Sequence, residues 1–139
     1  MNKKWIITAA IICSVPICYY VASLATINVY DIEKVEVLNI GIQSVHIRIT
    51  MNATCPLPTY LPPADYQLYI NGTYIGPGKT TGTFINSGEN LIVADQEVMY
   101  SSVPSLIITA LTSNGTLEVR IVVSLIGGNV DIKKIVQVQ

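Results

Sequence analysis

A chain of 139 residues has room for one domain, and setting aside its apolar N-terminus leaves roughly 110 residues, enough for one sandwich-sized core. Half of the residues are apolar and only 12% are charged, well below the ~25% of ordinary soluble proteins, so a water-facing surface has to rest on Thr, Ser, Asn, Gln and Tyr, as suits an exported protein. The formal charge of −1 and the lack of any basic cluster beyond Lys133-Lys134 exclude the electrostatic footprint of nucleic-acid binding.

No charged residue occurs between Trp5 and Tyr30, and the stretch Trp5 to Ile27 is long enough to cross a ~30 Å hydrocarbon layer as a helix. Lys3 and Lys4 precede it and Asp31 and Glu33 follow it, a bias that places residues 1–4 in the cytoplasm and the rest outside. Pro16 falls mid-span, where a membrane helix tolerates it with a kink. Tyr19, Tyr20 and Tyr30 bracket the outer end as an interfacial belt, so membrane lipid is the first expected partner. A second reading is a cleaved secretory signal, because Ser23-Leu24-Ala25 offers small residues at the positions a signal peptidase reads, with cleavage after Ala25. Both readings export the remainder of the chain, a linker over residues 28–33 and a domain over 34–139.

Beyond Val29 the pattern turns to alternation, which marks half-buried strands. Val45, Ile47, Ile49 and Met51 alternate with His46, Arg48, Thr50 and Asn52, and Leu117, Val119, Ile121, Val123 and Leu125 repeat the pattern. The prolines of residues 56–63 exclude a central strand there and leave an edge or an extended crossover. Tyr66 to Ile70, Asn71-Gly72 and Thr73 to Ile75 predict a hairpin with a two-residue turn of positive φ. Further strands are expected at 34–40, 81–85, 91–100 and 130–138, with turns at Gly76-Pro77-Gly78, Asn86-Ser87-Gly88, Asn114-Gly115 and Gly127-Gly128-Asn129. Ser105 to Leu111, after Pro104, reads as a short helix. This spacing predicts an all-β fold, an immunoglobulin- or fibronectin-III-like sandwich of about seven strands with one short helix, behind an N-terminal transmembrane helix.

Little in the composition supports catalysis. His46 is the only histidine, so metal sites and triads that need a second one are unavailable, and its place on a polar strand face reads as solvated. Asp95 and Glu97 would share one strand face as a carboxylate pair or a calcium site, or simply as a solvated edge. The glycines are turn glycines and form no phosphate loop. No catalytic residue, metal or cofactor is expected. Cys13 and Cys18 lie in the apolar segment, which leaves Cys55 either to pair with another chain or to be buried as a small apolar group. Asn52-Ala53-Thr54, Asn71-Gly72-Thr73 and Asn114-Gly115-Thr116 are three N-glycosylation sequons, two of which also serve as tight turns. Tyr69 and Tyr74 flank the first of these turns, to pack across strands or to present an aromatic patch.

Taken in order, Val45 to Asn52, Pro56-Leu57-Pro58, Tyr66 to Gly72, Gly76 and Leu117 to Leu125 resemble the type-2 late embryogenesis abundant domain, also called the water-stress and hypersensitive-response domain. The resemblance covers roughly residues 32–139, with Asn52-Ala53-Thr54-Cys55-Pro56 standing where members often carry Asn-Pro-Asn. It implies a sandwich behind a membrane helix and a role in stress protection or binding.

The expected function is a non-enzymatic module, binding or structural, anchored on the outer face of a cell membrane or virion envelope. The alternative is a secreted subunit freed by cleavage after Ala25, whose apolar arm from Thr26 to Val29 completes a neighbour's sheet by strand addition, giving a protein partner or self-assembly.

Overall fold

The computed structural model describes residues 3–139; within its first helix the side chains at 10, 11 and 13 fall outside that description, as do residues 1 and 2 of the expected cytoplasmic terminus. Helix α1 (Lys3–Ala25) leads through two residues into β1 (Asn28–Ile40), followed by β2 (Ser44–Cys55), β3 (Thr59–Leu61), β4 (Asp65–Ile70), β5 (Thr73–Lys79), β6 (Thr83–Ile85) and β7 (Gly88–Met99). A 3-10 turn at Tyr100–Ser102 and helix α2 (Ser105–Thr112) then lead to β8 (Thr116–Leu125) and β9 (Gly128–Gln137).

The strands form antiparallel sheets of order β1-β2-β7 and β5-β4-β8-β9, with a two-stranded ribbon β3-β6 beside them. The sheets face each other in a sandwich-like arrangement because each offers one continuous apolar face. Val45, Ile47, Ile49, Met51 and Ala53 of β2 and Ile92, Ala94 and Val98 of β7 are buried, as are Tyr66, Leu68 and Ile70 of β4 and Leu117, Val119, Ile121 and Val123 of β8. Each large side chain taken out of water there stabilises the fold by about 1.5 to 3 kcal/mol. The alternation read in β2 and β8 is thus the alternation of the core, except at Thr50, which was expected on the polar face of β2 and is buried.

Both open edges of the sandwich are stitched. On one side Val37 N donates to Gln139 O at 3.0 Å and Gln139 N to Val35 O at 2.9 Å, so the residues just after β9 join β1. On the other, Thr81 N donates to Val93 O at 2.8 Å, and Thr80 bridges Ala94 of β7. The edges that would otherwise invite pairing with another chain are partly occupied from within.

Four sequence expectations change. Residues 28–33 are the first half of β1 and not a linker, because the β1–β2 register shifts at Tyr30, Glu33 and Leu38. Each shift is a bulge that resets which face points inward, so the buried residues run Val29, Ile32, Val35, three apart, and the alternation that marks a strand is lost. The apolar helix also ends earlier than the expected span over residues 5–27, since α1 stops at Ala25 and Ile27 is buried against the domain. The strands number nine and not about seven, the proline-rich run supplying the short β3 that pairs with β6. Gly76-Pro77-Gly78 lies inside β5 and does not turn: β5 is an edge strand, which spares Pro77 the need for a ladder N–H, and the bulge at Ile75 uses Gly76 at φ +151°.

The Asn71-Gly72 hairpin is as expected, both residues having positive φ (50° and 79°). Helix α2 is also where it was expected, with Pro104 at its N-cap and Ile107 and Leu111, one turn apart, in the core.

Candidate membrane-facing end

Apolar side chains crowd every side of α1: Trp5, Ile6, Ile7, Ile12, Val15 and Ile17 are exposed, and the helix is long and apolar enough to cross a membrane. A helix apolar all round gains by leaving water, whether for lipid or for a protein surface. Its last turn behaves differently. Ser23 and Leu24 are buried, and Ser23 Oγ, which would lack water, donates to Tyr19 O at 2.7 Å.

Three parts of the sandwich hold that turn. The link from β2 into β3 runs alongside it, where the Tyr20 hydroxyl donates to O of Tyr60 in β3 at 3.0 Å and the Tyr19 hydroxyl to Pro58 O, just before β3, at 3.4 Å. Cys55, at the end of β2, packs beneath; it is buried, its thiol donates to Leu57 O at 3.0 Å, and it lies 3.8 Å from Thr26 Oγ1. Of the two readings open for this thiol, the structure places it as a buried apolar group. The β8–β9 hairpin closes the third side: a Cβ on Gly127 would stand 2.6 Å from Ala25 O, so only glycine lets the hairpin backbone approach.

An apolar crevice of about 180 Å³ separates the hairpin from the proline run, lined by Leu24, Leu61, Pro62, Pro63 and Ile126 among others. Around it this end of the sandwich exposes Leu57, Tyr60, Phe84 and Ile126. Tyr60 and Phe84 are cross-strand partners in the β3–β6 ribbon, with ring centroids 5.1 Å apart. None of the charged residues falls within 55–64, 80–88 or 124–130, the segments that build this end.

The other expected site residues lie elsewhere. Trp5 and Pro16 are in the exposed part of α1, which continues through the proline. Tyr30 is a bulge residue of β1 whose hydroxyl donates to Glu89 at 3.1 Å; desolvation, then that carboxylate, push its ionisation up. Asn71 and Asn114 sit exposed at turns with positive φ, whereas Asn52 is half-buried in central strand β2. Asn71 Oδ1 accepts from Glu118 N at 2.9 Å, which fixes the side chain at the hairpin tip. Ala25, the expected cleavage position, is exposed, but the two residues before it are covered by the domain.

Asp95 and Glu97 do not act as a pair. Asp95 receives two bonds from the Arg48 guanidinium, at 2.8 and 3.2 Å, while Glu97 faces exposed His46 across the β2–β7 ladder. Among the described residues no group of three His, Cys, Asp or Glu side chains comes together. On the outer face of the other sheet Tyr69 and Tyr74 pack with centroids 5.3 Å apart, Arg120 lies 5.0 Å over the Tyr69 ring, and Arg120 Nε donates to Asp131 at 2.9 Å. The packing of Tyr69 on Tyr74 is one of the two arrangements expected for them, whereas the addition of Arg120 and Asp131 has no signal in the sequence, because these two become diagonal neighbours only through the β8–β9 register.

No protein-family model matches the chain, and no curated protein matches it. Among solved structures it is similar to the crystal structure of a protein from Archaeoglobus fulgidus, at 10% identity over 78% of this chain and 98% of that one, with a TM-score of 0.46. It is also similar to the solution structure of a protein from Arabidopsis thaliana, at 15% identity over 78% and 81% of the two chains, with a TM-score of 0.41.

Proposed function

We propose that this protein is a non-enzymatic module of the outer face of a membrane: α1 spans the bilayer with its N-terminus in the cytoplasm, and an immunoglobulin- or fibronectin-type sandwich stands outside as a binding or structural domain. The observation that carries the reading is the contrast within α1, apolar on all sides up to Ala22 and then covered by the domain over Ser23 and Leu24. An anchor that is also packed against its cargo holds the domain at a fixed position relative to the bilayer. Lys3 and Lys4 before the span and Asp31 and Glu33 after it support the orientation. The resemblance to the type-2 late embryogenesis abundant domain supports a binding or protective role, and the sequons at the exposed turns, Asn71 and Asn114, are the favoured acceptors for glycans.

Intact mass and N-terminal sequence of the native protein from membrane and extracellular fractions test the reading. A membrane-bound chain that keeps Lys3 and Lys4, with the sandwich open to protease added outside, is the expected result. A chain beginning near Thr26 in the extracellular fraction would overturn the anchor in favour of the secreted subunit. That subunit would also have to withdraw Val29 from its pairing with Ala53 to donate its arm.

A further inference from the structure

We propose that the sandwich is seated in the lipid as well as tethered to it: its uncharged end, with Leu57, Tyr60, Phe84 and Ile126 exposed around the exit of α1, inserts into the headgroup and upper acyl region of the outer leaflet. The inference rests on the anchored reading of α1 and adds a second, independent membrane contact made by the domain.

Lengths argue for it. From Trp5 to Ala22 the described side chains are exposed, a stretch of about 27 Å at about 1.5 Å per residue, a few ångströms short of the ~30 Å hydrocarbon layer. At Ser23 and Leu24 the helix surface is covered by protein, so apolar protein surface beside the helix can supply the remaining height where the bilayer does not thin to meet it.

The level of the contacts argues the same way. Tyr20 precedes Ala25 by about 7.5 Å along the axis at about 1.5 Å per residue, and helical side chains lean toward the N-terminus. Its hydroxyl nevertheless reaches Tyr60 O, and that of Tyr19 reaches Pro58 O. The segment from Leu57 to Tyr60 therefore hangs below the end of α1, at the depth of the tyrosine belt.

Chemistry completes the case. Phe84, the only phenylalanine of the chain, is 78% exposed on the outer side of the ribbon while its neighbour Ile85 is buried. Tyrosine, with an apolar ring and a polar hydroxyl, partitions to the headgroup boundary, and Tyr60 joins Tyr19 and Tyr20 there while its ring packs against the wholly apolar Phe84. The charge nearest this end, Asp65 at the crevice edge, is paired with Lys79 at 3.7 Å, which lowers the cost of bringing it to the headgroup level. The occupant of this surface is thus the lipid already around the helix, because the two surfaces are continuous.

Depth-dependent fluorescence quenching tests it on the full chain, reconstituted in phosphatidylcholine vesicles containing lipids brominated near the top of the acyl chain. Trp5, the only native tryptophan, reports the helix; Phe84→Trp in a Trp5→Phe background reports the ribbon; and Ile42→Trp in the same background reports the hairpin at the far end of β1, where Ile42 is 97% exposed. The expected result is loss of emission from the Phe84→Trp indole comparable to that of Trp5, with a blue-shifted spectrum, and none from Ile42→Trp. Quenching of Trp5 with a Phe84→Trp spectrum as unquenched and red as that of Ile42→Trp would overturn the seating and leave the anchor standing. Equal quenching at both engineered positions would overturn it too, since the domain would then lie on its side. An unquenched Trp5 would remove the anchor, and this inference with it.

Discussion

The Tyr66 hydroxyl of β4 donates to Gln96 Oε1 of β7 at 2.8 Å, so the two sheets of the sandwich share a polar contact at the edge of the core. Tyr66 is fully buried, and a buried phenol without a partner would carry the cost of its lost water.

That burial, helped by the nearby Asp95 charge, pushes the Tyr66 phenol up to about 12 from an ordinary 10. The unfolded chain releases this proton near pH 10 while the folded one keeps it to about 12, so the associated stability is complete below pH 10 and falls as pH rises from there toward 12. Tyr66→Phe costs about 0.5 to 1.5 kcal/mol at neutral pH from the lost hydrogen bond. Thermal unfolding of both proteins in detergent should show the gap between them narrowing through the alkaline range. A gap independent of pH would refute the shifted phenol.

Gly78 lies directly under the Tyr66 hydroxyl. A Cβ there would collide with that oxygen and stand 2.5 Å from Tyr66 Cζ and 2.7 Å from Gln96 Oε1. Gly78→Ala should destabilise the domain by about 1 to 3 kcal/mol, the range for forcing atoms into a packed site. Gly72→Ala, where a Cβ meets nothing but φ is +79°, tests backbone strain alone. Denaturant midpoints of the two variants separate packing from strain.

Val138 and Gln139 lie beyond β9, yet Val138 is buried, its N–H donates to Gly115 O at 2.9 Å, and Gln139 bonds Val35 and Val37. Removing these two residues should cost about 2 to 4 kcal/mol, the worth of one buried valine and a few backbone bonds. Hydrogen exchange at the amide of Val37, now without its acceptor, should accelerate more than at Ile47 in the middle of the sheet.

The Arg120 guanidinium bonds to Asp131 and holds its carboxyl below the usual range. A depressed carboxylate contributes stability above its unfolded pKa and loses it as pH falls through the folded one. Arg120→Gln should return the Asp131 titration, followed by carboxyl carbon NMR, to the ordinary value near 3.8. A midpoint unmoved by the substitution would mean the pair is not formed in solution.

Much of this architecture could be read from local pattern. The strand interiors of β2 and β8 were legible because side chains alternate in a regular strand and each of these has one buried face. The Asn71-Gly72 turn was legible because positive φ is chemically restricted. In contrast, β1 was misread over residues 28–33, since its three bulges erase the alternation, and Gly76-Pro77-Gly78 was misread because only a sheet order that leaves β5 at the edge makes a proline harmless there.

The candidate site divides the same way. An apolar stretch from Trp5 to Ile27 favours removal from water, into lipid or against protein, because the hydrophobic effect depends on composition and area. Where that helix stops being exposed, and which residues stand beside it, depended on contacts between Tyr20 and Tyr60 and between Ala25 and Gly127, separated by 40 and by about 100 positions in the chain. No local pattern encodes such neighbours; they follow from the packing of two sheets, which brought Leu57, Tyr60, Phe84 and Ile126 from three distant segments to one end of the molecule.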